Sequence, residues 1–172
     1  VLVLQCEVPM EANKRAAEIA NKNDTLVILN PAPARKIPDT LLSLVDIITP
    51  NESEAEILTD MPTETNSQAM EAAHHLLSKG VETVILTLGS RGSLLLTEKM
   101  EKHIPAYSVD VIDTTAAGDA FCGALAVILS NGSIIEEAIK IANAAGALAV
   151  TKLGAEPSLP TKKDIDQLIN RF

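Results

Sequence analysis

A short stretch of small residues carries the features of an anion-binding turn with an acid beside it. It runs from Thr114 to Phe121 with the sequence Thr-Thr-Ala-Ala-Gly-Asp-Ala-Phe. The first N–H groups of a helix lack intrahelical acceptors and lie at the positive end of the helix dipole, so small residues there let an anion approach closely. Asp119 falls in the first turn of the helix predicted by the apolar run that follows. The stretch predicts an active-site turn, although the dipole alone also favours Asp at a helix start.

Two other polar segments could carry chemistry. Asn51 and Glu54 have the spacing of a capping box, in which each side chain satisfies an unpaired backbone donor, and stability alone could account for them. Residues 87–92, Thr-Leu-Gly-Ser-Arg-Gly, contain two glycines but lack the order of a P-loop. On its residues alone, this second segment could be only a hairpin turn.

The elements that would position these residues alternate along the chain. Apolar runs predict strands over 1–4, 25–29, 47–49, 84–87, 92–97 and about 104–112. Helices are predicted after Pro9, and over 38–45, 51–58, 65–79, 121–131, 133–150 and 163–170, with Ser133 and Glu136 as a further capping box. Alternation of this kind predicts an α/β protein with helices on both faces of the sheet. Ligands of such sheets bind beyond the carboxyl ends of the strands, so the loops at 30–31, 51–54, 87–92 and 113–119 should share one rim.

Composition restricts the classes of function. The chain has 172 residues, 47% of them hydrophobic, which is suited to a single folded unit. Its formal net charge of −9 argues against nucleic acid or an acidic membrane as a partner, and no membrane-spanning run is present. Cys6 and Cys122 lie in apolar segments and form no disulfide or metal-ligand pattern, so a cytoplasmic location is expected. The start on Val1, within a predicted core strand, suggests a fragment.

Several motifs resemble those of one enzyme family. Asp113-Thr-Thr-Ala-Ala-Gly-Asp-Ala-Phe121 resembles the signature of the ribokinase (PfkB) family of carbohydrate kinases, usually Asp-Thr-x-Gly-Ala-Gly-Asp-x-Phe. Ala116 stands where most members have Gly, but some ribokinases carry Ala-Ala-Gly-Asp. Asn51 to Glu54 is similar to the Asn-x-x-Glu motif of that family, and Asn30-Pro-Ala-Pro-Ala34 is typical of ribokinases. The resemblance runs from Val1 to about Ser158.

The resemblance implies a fold and a reaction. The fold would be a ribokinase-like three-layer α/β/α arrangement with a mostly parallel sheet, in which residues 1–172 form a single α/β domain without the N-terminal part and the lid. The reaction would be ATP-dependent phosphorylation of a sugar hydroxymethyl group, with D-ribose giving ribose 5-phosphate. Asp119 would be the general base, the N–H groups of Ala116, Ala117, Gly118 and Asp119 would form an anion hole, and Glu7 and Asp119 would bind the sugar.

The resemblance also assigns residues to ATP, Mg²⁺ and K⁺. The implied nucleotide-binding residues are Asn51, Thr87, Gly89, Ser90, Gly92, Gly118 and Asn143. Glu54 would hold Mg²⁺ through water, and oxygen ligands suit a hard cation of this kind. The implied monovalent-cation residues, most of them acting through backbone carbonyls, are Asp113, Thr115, Ala149, Lys152, Gly154 and Ser158.

Alternatives to this function stay open. The chain could be a non-catalytic nucleotide-binding module, or another sugar or nucleoside kinase of the same family. The resemblance implies a homodimer for the full-length protein, and we expect the 172-residue chain alone to bind nucleotide without efficient sugar phosphorylation. His74, His75 and His103 are expected at the surface, because adjacent helical positions are poor geometry for one metal and His103 is isolated.

Overall fold

The computed structural model describes residues 1–171. Its strands are β1 (Leu2–Gln5), β2 (Val27–Asn30), β3 (Ile47–Ile48), β4 (Thr83–Thr87), β5 (Ser93–Thr97) and β6 (Met100–Ile104). Its helices are α1 (Met10–Asn21), α2 (Asp39–Leu42), α3 (Glu52–Thr59), α4 (Asn66–Ser78), α5 (Ala117–Ser130), α6 (Ile135–Ala149) and α7 (Lys162–Ile169). Single 3-10 turns lie at Gly89–Arg91 and Glu156–Ser158. None of the helices within residues 1–171 is both long enough and apolar enough to cross a membrane.

One six-stranded sheet has the strand order β1-β2-β3-β4-β5-β6. The first four strands are parallel, so Leu4, Leu29, Ile48 and Val84 lie side by side across it. β5 and β6 follow each other after two residues, a connection that only antiparallel strands allow. The sheet is therefore mostly parallel with an antiparallel hairpin at one edge, and the predicted fold class is confirmed.

The chain divides into two compact units, and residues 1–88 and 94–103 form the first. Its core joins the row Leu4, Leu29, Ile48 and Val84 to helical residues such as Ala17 and Ala73. Every residue of β2 is buried, which explains why this strand is a continuous apolar run rather than an alternating one.

The second unit comprises residues 89–93 and those from 104 onward. Its core is rich in alanine and contains Ala120 of α5, Ala145 of α6 and Leu168 of α7. A Cβ atom added to Gly146 of α6 would lie 3.3 Å from the carbonyl oxygen of Ala117. Small side chains thus let α6 approach the first turn of α5, the turn that contains Asp119.

Two predictions about local structure were wrong. Residues 105–112 form no strand, because Pro105 lacks an N–H group and the N–H groups of Ile112 and Asp113 donate to the Val150 carbonyl at 2.7 and 3.2 Å. The N-cap of α6 is Ile134, with no side-chain cap, so the capping box predicted for Ser133 does not form. The capping boxes that begin α3 at Asn51 and α4 at Thr65 are confirmed.

Candidate active site

Asn51 and Thr87 lie together at the carboxyl end of the parallel strands in the first unit. They form an isolated parallel bridge just beyond β3 and at the end of β4. The Thr87 N–H group donates to the Pro50 carbonyl at 2.9 Å, and this bond fixes the spacing of the two loops. The structure thus brings together two residues that the sequence assigned separately to nucleotide binding.

Two reciprocal hydrogen bonds hold Glu54 in place. Its Oε2 atom accepts from the Asn51 N–H group at 2.8 Å, and Asn51 Oδ1 accepts from the Glu54 N–H group at 2.9 Å. Burial raises the pKa of Glu54, while the hydrogen bond from the Asn51 backbone opposes that rise. The capping box uses Oε2 alone, so Oε1 stays outside it. A partly buried carboxylate fixed in this way fits the role of holding a hydrated Mg²⁺ ion.

Glu7 lies exposed in the turn after β1, and Arg35 braces the backbone on both sides of it. The Arg35 guanidinium donates to the carbonyl of Cys6 and, at 2.7 Å, to that of Val8. The Cys6 N–H group donates to the Ala32 carbonyl at 2.8 Å. Sequence reasoning missed Arg35, although it directly follows the Asn30–Ala34 stretch that is typical of ribokinases.

The turn that contains Asp119 begins α5 in the second unit. The N-cap residue, Ala116, makes no side-chain cap, and the first α-helical bond runs from the Ala120 N–H group to the Ala116 carbonyl at 3.0 Å. The N–H groups of Gly118 and Asp119 precede that bond and lie in the first turn of the helix. The Ala117 N–H group already donates to the Thr114 carbonyl at 3.3 Å. An anion bound by Ala117 would therefore have to share or replace that contact.

Asp113 joins two loops that are far apart in the sequence. Its Oδ1 atom accepts from the Thr115 N–H and hydroxyl groups at 3.0 and 2.5 Å, and its Oδ2 atom accepts from the Gly154 N–H group at 2.9 Å. Hydrogen bonds from the Thr115 hydroxyl, the Gly154 backbone and the Thr115 backbone lower the pKa of Asp113. Three of the residues assigned to a monovalent cation are thus in direct contact.

The other residues assigned to that cation are Ala149, the last residue of α6, and Lys152 and Ser158, which follow it. The Lys152 N–H group donates to the Ala149 carbonyl at 3.4 Å, and the buried Ser158 hydroxyl donates to the Ala155 carbonyl at 2.6 Å. Within residues 1–171, no group of three or more His, Cys, Asp or Glu side chains could hold a metal ion. Cation binding at these loops would therefore depend largely on backbone carbonyl oxygens.

Gly92 and Asn143 both lie against residues 104–105 of the same unit. Gly89 to Arg91 form a 3-10 turn with Ser90 exposed, and the Gly92 N–H group closes it onto the Gly89 carbonyl at 3.1 Å. The Asn143 side chain, in contrast, is 8% exposed and hydrogen-bonded to Ser93 and to the carbonyls of Ile104 and Pro105. The Asn143 amide therefore links segments of the fold to one another. Ser93 is one of its partners, and sequence analysis did not identify it.

Comparison with known proteins identifies the family of the chain. The model of the pfkB family of carbohydrate kinases matches residues 2–162, and the chain belongs to that family. It is 45% identical to the ribokinase of Haemophilus influenzae over 163 residues. The aligned region covers 95% of this chain and 53% of that protein. It is 37% identical to the deoxyribokinase of Salmonella typhi over 171 residues, and this aligned region covers 99% of this chain and 56% of that protein.

A solved structure is similar as well. The Arabidopsis thaliana ribokinase complexed with ribose and ATP has a TM-score of 0.92 and 38% identity, over 97% of this chain and 55% of that one. The ribokinase-like α/β fold is thereby confirmed. The chain spans about half the length of the curated relatives it matches.

Proposed function

We propose that the protein is an ATP-dependent sugar kinase that converts D-ribose to D-ribose 5-phosphate. The observation that carries the proposal is the position of Asp119, which is exposed in the first turn of α5, at the positive end of the helix dipole. The higher identity to a ribokinase, 45% against 37% for a deoxyribokinase, favours ribose as the acceptor.

The proposed step transfers one phosphoryl group. The hydroxymethyl oxygen of ribose attacks the γ-phosphorus of ATP while the Asp119 carboxylate accepts its proton. The bond from the γ-phosphorus to the bridging oxygen breaks, and ADP leaves with that electron pair. The N–H groups of Ala116, Ala117, Gly118 and Asp119 stabilise the developing negative charge. Glu7, held by Arg35, orients the sugar.

Two cations have residues suited to them. When bound, Mg²⁺ would neutralise charge on the ATP phosphates. Glu54 would hold it through water, beside Asn51. Asp113, Thr115, Ala149, Lys152, Gly154 and Ser158 would hold K⁺ between the two loops that Asp113 already joins. Both ions, the homodimer and the cytoplasmic location stay predictions.

The test is Asp119→Asn in the full-length protein, with the missing half restored; the change removes the base and keeps the size of the side chain. We expect kcat for ribose-dependent ADP formation to fall by about 10² to 10⁴ with little change in ATP affinity. Asp110→Asn, an exposed acid on the segment that leads into the turn, is the matched control and should keep full activity. A kcat for Asp119→Asn within threefold of wild type would overturn the assignment of Asp119 as the base.

Acceptor choice is tested separately with ribose and 2-deoxyribose. The similarity to a deoxyribokinase makes 2-deoxyribose the specific alternative. We expect the higher kcat/KM with ribose. A higher kcat/KM with 2-deoxyribose would leave the proposed kinase reaction in place and make 2-deoxyribose the acceptor. ATP binding without turnover on any sugar would support a non-catalytic nucleotide-binding module.

A further inference from the structure

A buried side-chain pair links three separate segments of the second unit. Ser93 is 0% exposed, and its hydroxyl donates to Asn143 Oδ1 at 2.6 Å. The Nδ2 group of Asn143 donates to the carbonyls of Ile104 and Pro105, at 3.3 Å each. The pair therefore connects the end of the 87–92 loop to α6 and to the segment that leads toward the Asp119 turn.

The direction of the Asn143 amide follows from its surroundings. Two carbonyl oxygens face one side of the amide, so the donor group Nδ2 must lie there, because a flipped amide would place Oδ1 against both of them. The amide oxygen, Oδ1, then faces the Ser93 hydroxyl, which donates a hydrogen bond to it. A buried acceptor without a donor is unfavourable, so the Ser93 hydroxyl stabilises the amide in the orientation that the two carbonyls impose.

The same segment is in contact with the glycine loop through Gly92. Gly92 has φ +93°, and a Cβ atom there would lie 2.6 Å from the Ala106 nitrogen and 2.7 Å from the Pro105 carbonyl carbon. The loop backbone therefore rests directly on the peptide that Asn143 holds. Any shift of the Pro105 carbonyl would be passed to Gly92 and from there to Gly89 and Ser90.

We propose that Ser93 is a positioning residue for ATP binding. Its hydroxyl satisfies the buried Oδ1 atom of Asn143 and so anchors the amide. The amide holds the Pro105 peptide, and that peptide supports the backbone of the 89–92 loop. The part that concerns ATP rests on the proposed function, whereas the support of the loop does not.

The first measurement is hydrogen exchange of the loop in the protein without nucleotide. Ser93→Ala should speed exchange of the Gly92 amide about tenfold, and so should Asn143→Ala. In the double variant the rate should equal that of Asn143→Ala alone, because Ser93 acts through Asn143. Ser93→Cys, which keeps a weak donor, should lie between Ser93→Ala and wild type. Ser130→Ala, which removes a hydroxyl that donates to the Val127 carbonyl, is the control and should leave Gly92 exchange unchanged.

The second measurement compares steady-state constants in the full-length protein, with the missing half restored. Ser93→Ala should raise the KM for ATP about tenfold and leave the KM for ribose and kcat within twofold of wild type, a split that general loss of stability would not give. Additive effects in the double variant, or unchanged Gly92 exchange in both Ser93→Ala and Ser93→Cys, would overturn the proposal. If wild type fails to bind ATP, the proposed function is wrong, and the exchange rates still decide whether Ser93 supports the loop.

Discussion

Two carboxylates of the candidate site have opposite electrostatic environments. Glu54 is partly buried, and desolvation raises its pKa. Asp113 receives hydrogen bonds from Thr115 and Gly154, which lower its pKa. Asp113 therefore stays ionised to a lower pH than an ordinary aspartate does, whereas Glu54 takes up a proton at a higher pH than an ordinary glutamate does.

A substitution of Glu54 can remove the charge of its side chain while keeping the capping hydrogen bond that this side chain accepts. Glu54→Gln can still accept from the Asn51 N–H group, because Gln also serves in a capping box. We expect the Mg²⁺ concentration for half-maximal activity to rise about tenfold or more, since outer-sphere ligands contribute on that scale. Thermal stability at neutral pH should not fall, because burial disfavours the charge that is removed.

The pH dependence of the Mg²⁺ requirement follows from the direction of the shift. In wild type, the requirement should rise as the pH falls through the elevated pKa, because protonation removes the charge that holds the hydrated ion. Glu54→Gln should show no such rise, and activity titrated with Mg²⁺ at several pH values measures both. Glu56→Gln, an exposed position on α3 that accepts one backbone hydrogen bond, is the matched control. A steep rise that persists in Glu54→Gln would assign the titration to another group.

How much of the site the sequence reveals depends on the separation of the residues. Asn51 and Glu54 are three positions apart and follow a local rule, so both their cap and their motif were readable. Asp113 and Gly154 meet across 41 positions, and the family resemblance alone suggested that they belong together. Ser93 and Asn143 are 50 positions apart and match no spacing rule, so their contact could not be read.

At the scale of helices and strands, the prediction succeeded where periodicity was long. The helices α4, α5 and α6 and the parallel strands were found because each has a continuous apolar pattern. The alternation over 106–112 also resembled a strand, but its last N–H group donates to the end of α6 instead of to a neighbouring strand. Alternation alone does not reveal the acceptor of a backbone donor.

Gly146 offers a test of how closely α6 must approach α5. Gly146→Ala should gain up to about 1 kcal/mol of helix propensity, but its Cβ atom would crowd the Ala117 carbonyl at 3.3 Å. We expect little net change in melting temperature and a fall in kcat of about tenfold, because a shift of the α5 start displaces Asp119.

Gly123 is the matched control for that test. It also lies within a helix, in α5, and a Cβ atom there would meet nothing within 4 Å. Gly123→Ala should therefore raise the melting temperature and leave kcat unchanged. Equal kcat values for the two alanine variants would show that the α6 contact does not set the position of Asp119.

At the scale of the molecule, the candidate residues are divided between two compact units. Glu7, Asn51, Glu54 and Thr87 belong to the unit that contains the sheet. The Asp119 turn, the cation loops and Asn143 belong to the unit that contains α5, α6 and α7. The single domain predicted from chain length stays a prediction, because length does not show how a core is divided.

The charge of the whole molecule should affect how fast ATP binds. The protein has a net charge of −9 and ATP is an anion, so their long-range interaction is repulsive. Raising the ionic strength from about 10 mM to about 150 mM shortens the screening length from about 30 Å to about 8 Å, and the association rate constant should rise about twofold.

Stopped-flow binding measures that rate constant, with choline chloride as the added salt at fixed K⁺ and Mg²⁺. Adenosine, which is uncharged, is the control and should associate at a rate independent of salt. A rate constant for ATP that falls with salt would show that the local positive field of the helix start outweighs the net charge.

The hydrogen bonds of Arg35 to the turn after β1 indicate how the preference for a sugar acceptor could be altered. Arg35 holds the turn through the carbonyls of Cys6 and Val8, and every amino acid supplies such a carbonyl. Glu7 and Val8 are exposed, so their side chains can be exchanged without loss of the contacts that shape the turn. A library directed at new sugars should randomise positions 7 and 8 and keep Arg35, because the loop geometry is encoded downstream of the residues that would meet the sugar.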